Sequence, residues 1–102
     1  MLAAAPYPAR VTNVSSPGCL FCGIVAGEIP ADVVHQGPRT VAFRDISPAA
    51  PVHVLVVPRD HHPDLTALAG ADPGLTAEVM AAAAEVATGE GLSDDGYRVV
   101  LN

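Results

Sequence analysis

Residues 40–60, TVAFRDISPAAPVHVLVVPRD, constrain the fold more than any other part of this chain. They read as two β-strands joined by a proline-punctuated loop. The first, Thr40–Arg44, alternates inward and outward residues. The second, over 53–57, is apolar on both faces apart from His53, the pattern of a central strand covered on each side. Between them, Pro48 and Pro51 fix φ and withdraw backbone donors, so the chain must leave the sheet and re-enter it. Asp45 therefore stands at a strand end between Phe43 and Ile46, where loops hold binding groups on a rigid scaffold. An apolar patch with one acidic group suits a flat base attached to a sugar diol.

The rest of the chain arranges itself around that pair. Residues 1–18 are rich in Pro, Ala and Ser without periodicity, and are expected to be a flexible leader to a single folded unit over 19–102. Leu20, Phe21, Ile24 and Val25 fall at helical spacing, which predicts a short helix ended by Gly27. Val33–Gln36 forms a strand, and Gly37-Pro38 turns it back into Thr40–Arg44 as a hairpin. One helical turn is expected over 64–68. Asp72 and Pro73 give the N-cap and first position of a long helix running to Ala87, with Leu75, Val79, Ala83 and Val86 on one face. Residues 97–101 read as a last strand. An apolar strand at that place leaves an edge with nothing to blunt it.

Charge and length exclude several classes. At 102 residues there is room for one domain. The net charge of −6 argues against general binding to nucleic acid or an anionic membrane, which needs a basic surface. The N-terminal stretch lacks both a basic n-region and an apolar run of signal or membrane-span length, which predicts a cytoplasmic protein. In that compartment two cysteines are thiols or metal ligands rather than a structural disulfide.

Three features carry chemistry. Cys19 and Cys22 have the C-x-x-C spacing with which two thiolates grip one tetrahedral zinc, and His61 or His62 could add a third ligand. A redox dithiol and two ordinary half-buried thiols are the competing readings. Among the histidines, His61 and His62 are adjacent and point to opposite sides of an extended segment. His53 fits a histidine satisfied by a nearby backbone group as well as it fits catalysis, and His35 is expected to be solvated. Asp45 could be a turn residue accepting local N–H groups. Asp94 and Asp95 read as a solvated loop. No Ser/His/Asp set, phosphate-cradling glycine loop or carboxylate pair stands out.

Three blocks in order, CLFCGIVAGEIP from Cys19, VAFRDISP from Val41 and PVHVLVVPRDH from Pro51, strongly resemble the histidine triad (HIT) superfamily, in particular its small Hint-like nucleotide-binding branch. The closing GYRVVLN fits the strand that precedes the family signature. The resemblance implies an α+β fold: an antiparallel meander sheet with a short N-terminal helix and one long helix, here with the last strand missing. It implies a base and ribose pocket lined by Leu20, Phe21, Ile24, Ile29, Phe43 and Ile46, with Asp45 accepting from the ribose hydroxyls. A carboxylate offers two acceptors to the two donors of a vicinal diol. His53 matches a histidine that supports the active site, and Asn102 matches the asparagine that opens the phosphate-side segment. Cys19, Cys22 and His61 match three of the four ligands of a zinc-bearing branch. Complete relatives pair as homodimers, bind purine nucleotides or their conjugates, and hydrolyse or transfer nucleotidyl groups through a nucleotidyl-histidine intermediate. The His-x-His-x-His signature itself does not occur in these 102 residues, so no catalytic residue is assigned and the chain is expected to be truncated before it. A catalytically inactive nucleotide-binding remnant and a zinc-stabilised interaction module are the alternatives.

Overall fold

The computed structural model describes residues 18–101; the expected leader up to residue 17 and Asn102 lie outside the described residues. Six elements follow one another: α1 (Leu20–Val25), β1 (Val33–Gln36), β2 (Thr40–Arg44), β3 (Val54–Pro58), α2 (Leu65–Ala71) and α3 (Pro73–Gly89). The three strands form an antiparallel sheet in the order β1-β2-β3. The architecture is α+β, as the sequence implied.

Local chemistry sets most of the boundaries. The Cys19 sulfur accepts the Cys22 N–H and opens α1, and Gly27 leaves it at φ +80°, a conformation that a side chain would penalise. Gly23 lets Ile29 fold back onto α1, because a Cβ there would collide with the Ile29 side chain. The Gly37 N–H donates to the Thr40 carbonyl at 2.9 Å and closes the β1–β2 hairpin. Asp64 caps α2 by accepting the Ala67 N–H, and Asp72 caps α3 by accepting the Leu75 N–H, with Pro73 following it. α2 runs through residue 71, where the Asp72 N–H closes on the Leu68 carbonyl, and is longer than the single turn expected.

The register separates the two faces of the sheet. Phe43 stands opposite Leu55 and Val41 opposite Val57, while Ala42 pairs with Val56 and Arg44 with Val54. Alternation puts the first two pairs on one face and the other two on the reverse. The reverse face carries α2 and α3: Val56 packs on the buried cluster of Leu68, Leu75 and Val79. Arg44 donates two parallel hydrogen bonds to Glu90 just past α3, at 2.7 and 3.0 Å. The opposite face carries α1, whose Phe21 ring meets Phe43 at a centroid separation of 5.8 Å.

Two sequence expectations need correction. β2, and not β3, is the central strand: Thr40, Val41, Ala42 and Phe43 are all buried, whereas every residue of β3 is half-buried. An apolar run reports that both faces are covered and says nothing about pairing at both edges. The outer edge of β3 has no partner among the described residues. The expected strand over 97–101 is likewise absent: those residues join no ladder, and Tyr97, Val99, Val100 and Leu101 are exposed. With no strand beside them among the described residues, β propensity alone does not make a strand.

Candidate functional site

The α1 face of the sheet is an apolar platform with a polar end. Cross-strand pairs Val41/Val57 and Phe43/Leu55 form its floor, and Phe21 leans on Phe43 with the ring planes 53° apart. One step beyond the last ladder pair, the Asp45 N–H donates to the His53 carbonyl at 3.0 Å. Alternation therefore returns Asp45 and His53 to the same face as Phe43 and Leu55. Ile24 in α1 and Ile29 after it are half-buried, and Leu20 is exposed. Ile46 is 89% exposed, so it joins an apolar wall only once something covers it.

The loop leaving β2 is pinned from within. Asp45 Oδ1 accepts the Ser47 N–H at 2.8 Å, the local turn that the sequence offered as its modest reading. His53 Nδ1 accepts the Ala49 N–H at 3.0 Å. That bond fixes the ring proton of a neutral His53 on Nε2, which lies 3.5 Å from Asp45 Oδ2. The carboxylate keeps lone pairs free on both oxygens, and its side chain retains 23% of its accessible surface.

A second group of donors lies at the start of α1. Cys19 Sγ, Cys22 Sγ and a ring nitrogen of His61 all fall within 4.8 Å of one another, and Cys22 Sγ approaches His61 Nδ1 to 3.3 Å. Around a tetrahedral zinc such donors stand about 3.5–3.8 Å apart. Two thiols and an imidazole are also the soft donor set that zinc selects. The Cys22 backbone N–H, and after it the Cys22 thiol, hold the Cys19 thiol below its ordinary pKa. The three residues therefore fit a metal ion, and among the described residues they are the one such group.

The remaining histidines lie outside that group. His35 is not simply solvated: its Nε2 lies 3.3 Å from Glu85 on α3. His62 is not one of the three clustered ligands, though it lines the same shallow groove as both cysteines. Four ion pairs made by two arginines escaped the sequence reading altogether. Arg39, in the hairpin turn, holds Glu78 at 2.6 Å and Asp72 at 3.0 Å, and Arg44 holds Glu90 and Asp32. The Leu75 N–H, then Arg39, lower the Asp72 pKa, and Arg44 lowers that of Glu90. A signal was present only as Arg residues flanking a strand whose helical partners lay far along the chain.

A groove of about 460 Å³ runs along the open edge of β3, between α3 and residues 97–101. Val54, Val56, Met80, Ala83 and Val86 contribute to its walls, with Phe21 and His53 at its margin. Leu55 and Val57 of the platform floor line it too, so the groove and the α1 platform meet along β3, while Asp45 and Phe43 lie outside the groove.

The model of the HIT domain matches residues 26–102. This chain belongs to the HIT family. It is 37% identical over 83 residues to the purine nucleoside phosphoramidase of Escherichia coli K12, a match covering 81% of this chain and 70% of that protein. Among solved structures, a HIT family hydrolase from Legionella pneumophila Philadelphia 1 is 45% identical, with a TM-score of 0.75 over 80% of this chain and 73% of that one. A histidine triad protein from Clostridium difficile is 32% identical, with a TM-score of 0.81 over 87% and 77%. The HIT match begins after α1, so the Cys19–Cys22 pair lies ahead of it.

Proposed function

We propose that this HIT-family chain binds a purine nucleoside phosphate or its conjugate on the α1 face. In this reading the base lies against Phe21, Phe43, Leu20, Ile24 and Ile29, with Ile46 closing over it. Asp45 accepts from the ribose 2′- and 3′-hydroxyls. The observation that carries the reading is the continuity of one face, on which the Phe21–Phe43 wall ends at a half-buried carboxylate with unused lone pairs. The name of the Escherichia coli relative, a purine nucleoside phosphoramidase, supports the same ligand class.

Within this proposal His53 positions the Asp45 loop and Asn102 opens the phosphate side. The folded unit spans 19–102 and works in the cytoplasm. No helix among the described residues is long and apolar enough to cross a membrane. Two copies would pair through exposed apolar residues such as Met80, Val99 and Val100. Cys19, Cys22 and His61 would hold a zinc ion that ties α1 to the strand end carrying His61. Bound there, zinc supplies a cross-link rather than reaction chemistry. That cluster also favours a second reading, in which the metal-braced α1 face serves as an interaction module without a nucleotide.

The test is residue-resolved NMR titration with adenosine and guanosine monophosphates. Shifts concentrated at Phe21, Phe43 and Asp45 are expected. Shifts confined to Met80, Ala83 and Val86 in the groove would overturn the assignment of the site.

A further inference from the structure

The dithiol at the start of α1 can close in a second way. Neither Cys19 nor Cys22 is in a disulfide; both are half-buried, and their sulfurs lie within 4.8 Å of each other. Cys19 Sγ is already turned back over the first turn, where it accepts the Cys22 N–H at 3.4 Å. A disulfide needs the sulfurs at about 2.05 Å, and only movement in α1 stands between that and the present geometry. That movement disturbs little. The helix has six residues and none of them is buried, and the intervening Leu20 and Phe21 are 54% and 41% exposed. The pair also opens onto a shallow groove of about 130 Å³ with Val57, Pro58 and His61 along it, so a small thiol or disulfide can reach it.

We propose that Cys19 and Cys22 form a reversible intrachain disulfide, and that this disulfide and a metal ion held with His61 exclude one another. The partner chemistry is a low-molecular-weight disulfide of the glutathione class. The Cys19 thiolate attacks one sulfur of that disulfide; its S–S bond breaks and one thiolate departs. The Cys22 thiolate then attacks Cys19 Sγ in the mixed disulfide, the protein S–S bond forms, and the second thiolate departs. The protein dithiol loses two electrons, which the small disulfide gains, and the two protons end on the two released thiols. Once joined, neither sulfur is a thiolate ligand, and His61 alone cannot retain the metal.

The inference stands on the thiol geometry and not on nucleotide binding, so the experiment reads the cysteines directly. The 102-residue chain, stripped of metal by a chelator, is equilibrated in glutathione buffers, quenched in acid, alkylated and weighed intact. A single transition is expected, from doubly alkylated chain to an unalkylated chain lighter by two hydrogens. It should span a roughly hundredfold change in the ratio of squared reduced to oxidised glutathione. One equivalent of zinc should move the transition at least tenfold toward oxidising conditions, and Cys22→Ser should stop at a mixed disulfide on Cys19. Circular dichroism should show the same fold on both sides of the transition. Should Cys22→Ser not fold, the zinc shift in the unmodified chain decides the question. Two free thiols at every ratio, accumulation of mixed disulfide in the unmodified chain, or a transition indifferent to zinc would each overturn the proposal.

Discussion

His53 and Asp45 face each other one step beyond the last rung, where β2 and β3 part, with Nε2 3.5 Å from Oδ2 and the Asp45 N–H bonded to the His53 carbonyl. The ring is held from its other side by the Ala49 N–H on Nδ1. One side chain thus ties the loop of residues 46–52 back to the strand that follows it. His53→Ala should therefore release the loop without unfolding the sheet. The Ala49 amide should lose its protection in hydrogen exchange, while global stability falls by only about 0.5–1.5 kcal/mol, the usual worth of one hydrogen bond. Unchanged exchange at Ala49 would show that the ring does not hold the loop.

Leu75 has 1% of its surface exposed and packs with Leu68, Val79 and Val56, joining α2, α3 and β3. Leu75→Ala should cost about 2–5 kcal/mol, from lost burial plus the cavity left behind. Denaturation by urea measures it. The same change at exposed Met80 should cost far less.

Acid should loosen the clamps between the helices and the sheet. Hydrogen bonds from the Leu75 N–H and Arg39 lower the Asp72 pKa, and Arg44 lowers that of Glu90. Each folded-state pKa lies below its unfolded value, so the stabilisation is complete at neutral pH and is lost as pH falls through the folded value. The loss belongs below about pH 4.5, the ordinary value for glutamate. Thermal melts should show Glu90→Gln and Asp72→Asn less stable than the unmodified chain at pH 7, with the difference narrowing toward pH 3. A constant difference would contradict the assignment.

None of the four histidines is expected to act as a covalent nucleophile. His35 is paired with Glu85, His53 with the loop and His61 with Cys22, and His62 stands beside His61 at the small groove. Covalent catalysis needs a histidine in line with the α-phosphate and a proton donor on the opposite side. Adenosine phosphoramidate should be hydrolysed no faster than by an unrelated control protein. Activity abolished by His53→Ala or His61→Ala would place the catalytic centre elsewhere than this account does.

Much of the fold was legible because its signals are local. Asp72-Pro73 opens α3, Gly27 follows α1, and Gly37-Pro38 turns the hairpin, each through backbone chemistry within a few residues. Cys19, Cys22 and His61 were legible through spacing and family resemblance, and the structure brings them together. What could not be read was pairing at a distance. The apolar run of β3 did not say which of its edges would be matched, and residues 97–101 carried β propensity without a neighbour. Arg39 and Arg44 find Glu78 and Glu90 only because α3 folds back across the sheet, which no periodicity encodes.

The most direct test of the central claim is calorimetric titration of the 102-residue chain and its Asp45→Ala variant with adenosine monophosphate and its 2′,3′-dideoxy analogue. A charge-assisted bond to the diol is worth about 1.5–3 kcal/mol, so the unmodified chain should prefer the ribose form by more than about tenfold. Asp45→Ala should erase that preference while leaving dideoxy binding nearly intact. Equal weakening of both ligands, or no preference in the unmodified chain, would contradict the role given to Asp45 and with it the site on the α1 face.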